Sequence, residues 1–513
     1  MKYARLFILT AVMLIITVSC DNKDVTNILI AKKRSFDKVT AAYLKFKNEF
    51  MLHEALFNNG SIDTELFLTG YDMRGSSAEN FLKSARPILD LIIQKKIGFK
   101  STFINDSAAK EFKYLCSFEH FLKTEKETPI VNIIIGQKNI KAAIPAVYNK
   151  TFSLPVNGIG KLLYMIEPRD AFLQLDIDFS YTTLKQLYAL KPDAASQKRY
   201  DEAYKILYKN AAIKKNGDTY SVTFNSNDVL MYISAMVKAI KNDNRMKAFW
   251  SVYEKAFAKE FKKLEETFNS DIKKNMQHIT FTEELTVKDG FVAKNTIHAD
   301  VDGKEFLDVV LEVEDYENPI GSLNCTSTFS DPRANSNEKI IISFKSKGSV
   351  SETAANVDYS FMLGFPNIAS QPFSGIGMHC YFYADTQKPQ ENFKTGIDVQ
   401  IQSPESRSLA GKSVNNKLKN IDFALQAVGG IQKAKDTVTY TINSIGLDVK
   451  VPTENNAFMF ETDATVVLNK KIPKSIEMPK ETVYVLETKN DEWEKIQEEI
   501  GANLMDMGRQ TNF

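Results

Sequence analysis

The strongest constraint on the fold is a change of rhythm at Gln277, beyond which apolar and polar residues alternate in run after run. Ile279, Phe281, Leu285 and Val287 share one side of the first strand, Asp289-Gly290 turns, and Phe291, Ala293, Ile297, Ala299 and Val301 return. A two-residue turn there opposes Phe281 to His298 and sends the two apolar sets to opposite faces. A three-residue loop with Gly290 left-handed opposes Phe281 to Ala299 and keeps both sets together, so that register is expected. Further strands are expected at 304–314, 322–329, 338–346, 353–363, 376–385, 394–402, 418–427, 436–450, 457–469 and 481–488. Within 436–450 the apolar phase flips from Val438, Tyr440 and Ile442 to Ile445, Leu447 and Val449, which demands a bulge near Asn443-Ser444.

Half-apolar strands need a second layer, and the sequence supplies helices for it. Phe36, Val39, Tyr43, Phe46 and Phe50 align on one face of a helix expected from Ser35 to Leu56. A second helix is expected from Ser77 to Lys95, kinked or broken at Pro87. Short strands lie at 61–68, 99–104, 111–121, 130–135 and 139–143, and residues 161–181 read as extended through Leu173, Leu175, Ile177 and Phe179. A helical region, 184–210, breaks near Pro192. After a strand at 219–224, Val229, Leu230, Ile233, Met236, Val237 and Ile240 repeat the spacing of Phe81 to Ile92. Phe249, Tyr253, Phe257, Phe261, Leu264, Phe268 and Ile272 mark one long helix. Trp493, Ile496, Ile500 and Leu504 mark a tail helix that should dock on the sheet. The expected fold class is α+β, with a large twisted antiparallel sheet in the C-terminal half and amphipathic helices packed on it. The expected division is a leader at 1–19, a polar linker at 20–33, an N-terminal α+β domain at 34–215 and the sheet domain at 216–513.

Met1 to Cys20 reads as an export leader. Lys2 and Arg5 precede an apolar run from Leu6 to Val18, about 13 residues where about 20 are needed to span a bilayer. Thr17-Val18-Ser19-Cys20 resembles the lipobox of bacterial lipoproteins. The resemblance covers Met1 to Asp21. It implies that Cys20 is acylated, beginning a mature chain held outside the cytoplasm on a bacterial cell membrane. From the residues alone, a plain cleaved leader and an uncleaved anchor helix remain open. In pattern, the helices and long strands look similar to uncharacterised surface lipoproteins and to carriers built as a curved sheet holding helices. The expected function is an exported lipoprotein that binds an apolar ligand, a lipid or an envelope protein. The alternative is a structural or adhesive surface module with solid cores, and an enzyme is not expected.

Lys plus Arg number 65 against 64 Asp plus Glu, and removing Lys2 and Arg5 leaves 63 against 64, so no nucleic-acid partner is expected. The 34 Phe against 2 Trp point to large apolar interiors. Cys116, Cys325 and Cys380 permit one disulfide at most and read as small buried side chains. Five histidines, His53, His120, His278, His298 and His379, show no metal-ligand spacing. Asp176 and Asp178, with Glu167, Arg169 and Asp170 upstream, read as the solvated face of a strand rather than a Ca²⁺ or acid/base site. Ala410-Gly411-Lys412-Ser413 lacks the glycine a phosphate loop needs at Ser406, and Gly158-Ile159-Gly160 reads as a turn. No catalytic, cofactor or metal residue is therefore expected; Cys20 is the one site assigned.

Overall fold

The computed structural model describes residues 23–123, 126–173, 175, 177–189, 192–253, 279–301, 303–330, 339–365, 374–389, 391–402, 420–451, 454–472 and 478–511. Cys20 with its leader, Asp176, His278, Gly411-Lys412-Ser413 and the expected helix beyond Tyr253 lie outside those residues. Ten α-helices are described: α1 (Lys23–Met51), α2 (His53–Asn58), α3 (Ser76–Lys95), α4 (Ile159–Ile166) and α5 (Asp170–Leu173). They continue as α6 (Tyr181–Leu187), α7 (Ala194–Tyr208), α8 (Ser226–Lys241), α9 (Asn244–Tyr253) and α10 (Asn490–Gln510).

The first strands are β1 (Asn59–Arg74), β2 (Gly98–Asp106), β3 (Glu111–Glu119), β4 (Glu127–Ile135), β5 (Asn139–Ile144) and β6 (Tyr148–Pro155). After the central helices come β7 (Ala212–Asn216), β8 (Thr219–Phe224), β9 (Ile279–Lys288), β10 (Phe291–Val301), β11 (Lys304–Val313), β12 (Leu323–Ser330) and β13 (Lys339–Val350). The last are β14 (Ala354–Phe365), β15 (Ser374–Asp385), β16 (Phe393–Gln402), β17 (Asn420–Lys433), β18 (Thr437–Val451), β19 (Glu454–Asn469) and β20 (Thr482–Tyr484). All twenty belong to one sheet. Each of β7 to β18 pairs antiparallel with its successor, as does each of β1 to β5, and among the described strands only β20 on β6 is parallel.

The large antiparallel sheet is as expected, but its confinement to the C-terminal half is not. β1 pairs with β19 from Ser61 opposite Asn469 to Arg74 opposite Ala457, and so carries β2–β6 into the same sheet. The alternation of residues 61–68 ends early because β1 bulges between Leu68 and Gly70, which shifts its phase and lets it run on to Arg74. The β9–β10 register has Phe281 opposite Ala299, as expected. The turn itself differs. Asp289 and Gly290 are both left-handed, at φ 51° and 79°, so the loop has two residues, and a bulge between Val292 and Lys294 restores the phase. The bulge expected near Asn443-Ser444 lies between Ile442 and Ser444.

The polar stretch before Ser35 is also corrected. Residues 23–33, expected as linker, are the first turns of α1, with Val25, Ile28, Leu29 and Ala31 buried. Four apolar residues among many charges still make a helical stripe once a sheet covers it. α1 has 29 residues, about 44 Å, and joins two cores. Its first half packs with Tyr204 and Tyr208 of α7, Tyr232 and Met236 of α8, and Phe281 and Leu285 of β9. Its second half buries Phe46 and Phe50 against Val357, Phe393, Ile431, Val438 and Tyr440.

Two hydrogen bonds gauge the sheet's curvature. The Val292 N–H on β10 donates to Ser35 Oγ at 2.8 Å, and the Tyr440 hydroxyl on β18 donates to the Phe50 carbonyl at 2.5 Å. Ser35 and Phe50 are about 22 Å apart along the helix. Eight strand spacings separate β10 from β18, about 38 Å if the sheet were flat. The sheet therefore bends round α1, and the face carrying the helix is concave.

Residues 161–181 are not a strand. α4 and α5 occupy them, and Gly160 lets the two pack, since a Cβ there would lie 2.5 Å from the Phe172 carbonyl oxygen. α3 continues unbroken through Pro87, which is exposed. The expected break near Pro192 falls between α6 and α7. α10 docks as expected. Ile496 is buried, and Trp493 stacks on Phe152 of β6 with centroids 6.1 Å apart, whereas Leu504 stays exposed.

Candidate functional site

Opposed residues in adjacent strands share a face, so the register traces the concave surface row by row. Close to α1, Ala355, Ala384 and Phe393 form one row, and all are buried. Further along the same strands, Tyr359, Cys380, Ile397, Leu425, Leu447 and Phe458 form another, crossing β14 to β19 without a polar side chain except the tyrosine hydroxyl. Beyond it lie Leu363, Ile376, Ile401 and Ile421. Ile376, Ile401 and Leu425 are 42%, 41% and 40% exposed, and none of these three rows' outer residues reaches full burial. At β14 the two cores reach these rows, with Tyr359 packed against the second and Leu363 against the first, whereas Ile376, Ile401 and Leu425 stay open among the described residues. From Ala355 to Leu363 is about 26 Å of strand, and the open positions among the described residues lie further across the sheet, at Ile376 of β15, Ile401 of β16 and Leu425 of β17.

α3 lies over one margin of this surface, on β1 and β19, with the Phe81 ring 6.4 Å from that of Phe458. Its apolar stripe has the same spacing as that of α8. On α8 the stripe is buried, whereas on α3 Phe81 and Ile88 are more than half exposed. Beneath α3 is an apolar cavity of about 330 Å³, lined among others by Leu66, Ile92, Phe99, Phe118, Ile445 and Phe460.

A second cavity, of about 450 Å³, lies on the same face between α2, α6 and β2–β4. Its walls are Leu56, Phe57, Phe103, Phe112, Ile135 and Leu184, and its polar margin is His53, Asn105 and Lys185. Phe103 and Phe99 share the inner side of β2, so the two cavities are about 13 Å apart along one strand. Asn105 Nδ2 donates to the carbonyls of Leu56 and Phe57 at 2.9 and 2.6 Å, and its Oδ1 accepts from the Tyr181 hydroxyl at 3.0 Å. The Lys185 ammonium donates to Ser107 Oγ at 3.0 Å and to the Tyr181 hydroxyl at 3.3 Å. It also lies over the Phe57 ring, 5.1 Å from its centroid. Burial lowers the pKa of His53, helped by nearby Lys47 and opposed by Glu54. Nothing in the sequence marked Lys185, because Ser107 is 78 residues away from it.

The other singled-out residues have local structural work. Asp178 accepts from the Ser180 N–H at 2.8 Å and from the Thr183 hydroxyl, holding Ser180, whose side chain caps α6. His379 sits on the convex face with Asp398 and Asp358 each 3.1 Å from a ring nitrogen. His298, opposite Thr282 as expected, lies 3.1 Å from Asp300. Cys116, Cys325 and Cys380 are free thiols on strands, with pKa raised by burial. Among the described residues no group of three or more His, Cys, Asp or Glu is placed to hold a metal. No described helix is long and apolar enough to cross a membrane.

No family model matches the chain, and no curated protein matches it. Among solved structures, one described as "TodX monoaromatic hydrocarbon channel deltaS2 mutant" overlays 81% of this chain and 91% of its own. The TM-score is 0.16 and the identity 8%, a likeness that carries no argument.

Proposed function

We propose that this protein is an exported binding protein, tethered by a lipidated Cys20, that holds an apolar ligand or lipid against the concave face of its sheet. The observation that carries the reading is the part of that face left open among the described residues, where Ile376, Ile401, Phe423, Leu425 and Leu447 line inward-facing rows without full burial. Contiguous apolar surface left open on this scale marks a binding site for something apolar. The two cavities fall at or near the about 300–1,000 Å³ typical of small-molecule sites, which supports binding over a solid structural module. On this reading the protein holds and delivers rather than catalyses, and the tether keeps it beside a membrane that could be source or destination.

The test uses the chain with Cys20→Ala, purified without detergent. Native mass spectrometry should show co-purifying lipid, and an apolar dye should bind saturably. Leu425→Glu with Ile401→Glu should weaken dye uptake at least tenfold with little change in stability, since both sites are half exposed. Absence of both lipid and saturable dye binding would sink the reading.

A further inference from the structure

The cavity between α2, α6 and β2–β4 has a feature that an apolar site alone does not need, a lysine with spare charge. Other lysines drawn into this protein's interior meet carboxylates. Lys32 pairs with Glu283, Lys100 with Glu119 at 2.6 Å, and Lys113 with Asp106 at 2.9 Å. Lys185 meets only neutral partners among the described residues, Ser107 Oγ and the Tyr181 hydroxyl. Both are held in place from behind. Ser107 donates to the Asn58 carbonyl, and Tyr181 donates to Asn105, so each offers Lys185 a lone pair. An ammonium has three N–H donors. Two are used, and one remains together with the whole positive charge.

Resting on the apolar-ligand reading, we propose that this cavity seats a single-chain fatty acid, its carboxylate on Lys185 and its hydrocarbon chain among Phe57, Phe103, Phe112, Ile135 and Leu184. Charge selects the head. Among the described residues one cation lines the cavity, with no second lysine or arginine, which matches a single negative charge and leaves a dianionic phosphate half uncompensated. Volume selects the tail. About 450 Å³ with almost wholly apolar walls suits one hydrocarbon chain rather than two. The seat is preorganised, because Lys185 is already drawn back by Ser107, Tyr181 and the Phe57 ring.

The experiment compares cis-parinaric acid with its neutral methyl ester, both fluorescent in apolar surroundings, on the full chain carrying Cys20→Ala. A charge-assisted hydrogen bond predicts that the acid binds at least tenfold tighter than the ester. Lys185→Met should bring the acid down to the ester's affinity and leave the ester unchanged, while Lys185→Arg should keep most of the preference. The acid–ester difference in the unsubstituted protein decides the matter even if a variant fails to fold, and it should shrink as salt is raised. Equal binding of acid and ester, with the apolar dye still bound, overturns the fatty-acid seat and leaves the apolar-ligand reading standing. No binding of acid, ester or dye overturns both.

Discussion

Replacing Lys32 by Met should destabilise the first core by about 3 kcal/mol. Lys32 lies on α1 and Glu283 on β9, 251 residues apart, with side chains only 6% and 2% exposed. The Tyr208 hydroxyl donates to Glu283 and accepts from Lys32 at 2.7 Å, closing a three-way contact among Phe281, Leu285 and Tyr232. Burial of this degree removes solvent screening, so stripping one partner strands a charge, at about 3–5 kcal/mol. The lower end applies because Tyr208 still donates to Glu283. Tyr208→Phe alone should lose about 1.5–3 kcal/mol, the worth of a hydrogen bond to a charged group. Lys32→Met with Glu283→Leu should recover to within about 1 kcal/mol of the parent, since an apolar pair of similar volume carries no desolvation penalty. Urea unfolding, followed by far-ultraviolet circular dichroism and by the fluorescence of the two tryptophans, gives each difference as a shift of midpoint at constant slope. A double variant less stable than Lys32→Met would refute the reasoning, for it would mean that the stranded charge was never the cost.

Gly429→Ala should cost about 1–3 kcal/mol, because the added Cβ would come 1.8 Å from the Thr441 carbonyl oxygen across the β17–β18 bulge; a midpoint unchanged in urea contradicts this. Burial raises the pKa of Tyr200, Tyr208, Tyr232, Tyr359 and Tyr440, with Asp243 adding to the effect at Tyr200 and Glu283 at Tyr208. Their stabilising contribution is complete below the ordinary value of 10 and is lost as pH climbs above it, while the unfolded chain ionises. Spectrophotometric titration should show a set of tyrosinates appearing only with unfolding, and reversible titration of all 20 near pH 10 in the folded protein would be the contrary result. His53, lowered by burial, contributes stability above its ordinary 6.5 that is lost as pH falls through the lower value. His53→Gln should flatten the acid limb of the stability profile, and an unaltered limb would show that the imidazole is not buried enough to matter.

Alternation made the sheet legible because it is local, and so was the register of β9 on β10, set by Phe281 and Ala299. Closure of β1 on β19 was hidden, since strand pairing over hundreds of residues leaves no trace in either strand alone. The buried ion pair was hidden twice. Glu283 interrupts an inward row that otherwise reads Phe281, Leu285, Val287, and Lys32 sits in a stretch polar enough to pass for a linker. Each charge looks like solvent exposure until the other is placed beside it. Residues 161–181 depart from the alternation of Leu173 and Leu175 because Gly160, where no Cβ fits, lets α4 and α5 pack.

The site follows from a mismatch between two lengths, each visible in the sequence but never together. β14 to β19 run 10 to 16 residues, and most of their inward positions are apolar, with Thr395, Lys433 and Thr462 among the exceptions. The second half of α1, which covers part of them, buries Phe46 and Phe50 in that core with Ala42 and Met51 packed beside them. A helix that lies across ten strands bends them into a trough but can fill only the part of each strand beneath it. Among the described residues, what it leaves is an apolar surface pointing inward. The same geometry gives α8 a full complement of partners and leaves Phe81 and Ile88 on α3 exposed, although the two helices carry one spacing. Identical patterns therefore specify which side of an element seeks apolar company, and the lengths of the neighbours decide how much of that side the protein itself covers.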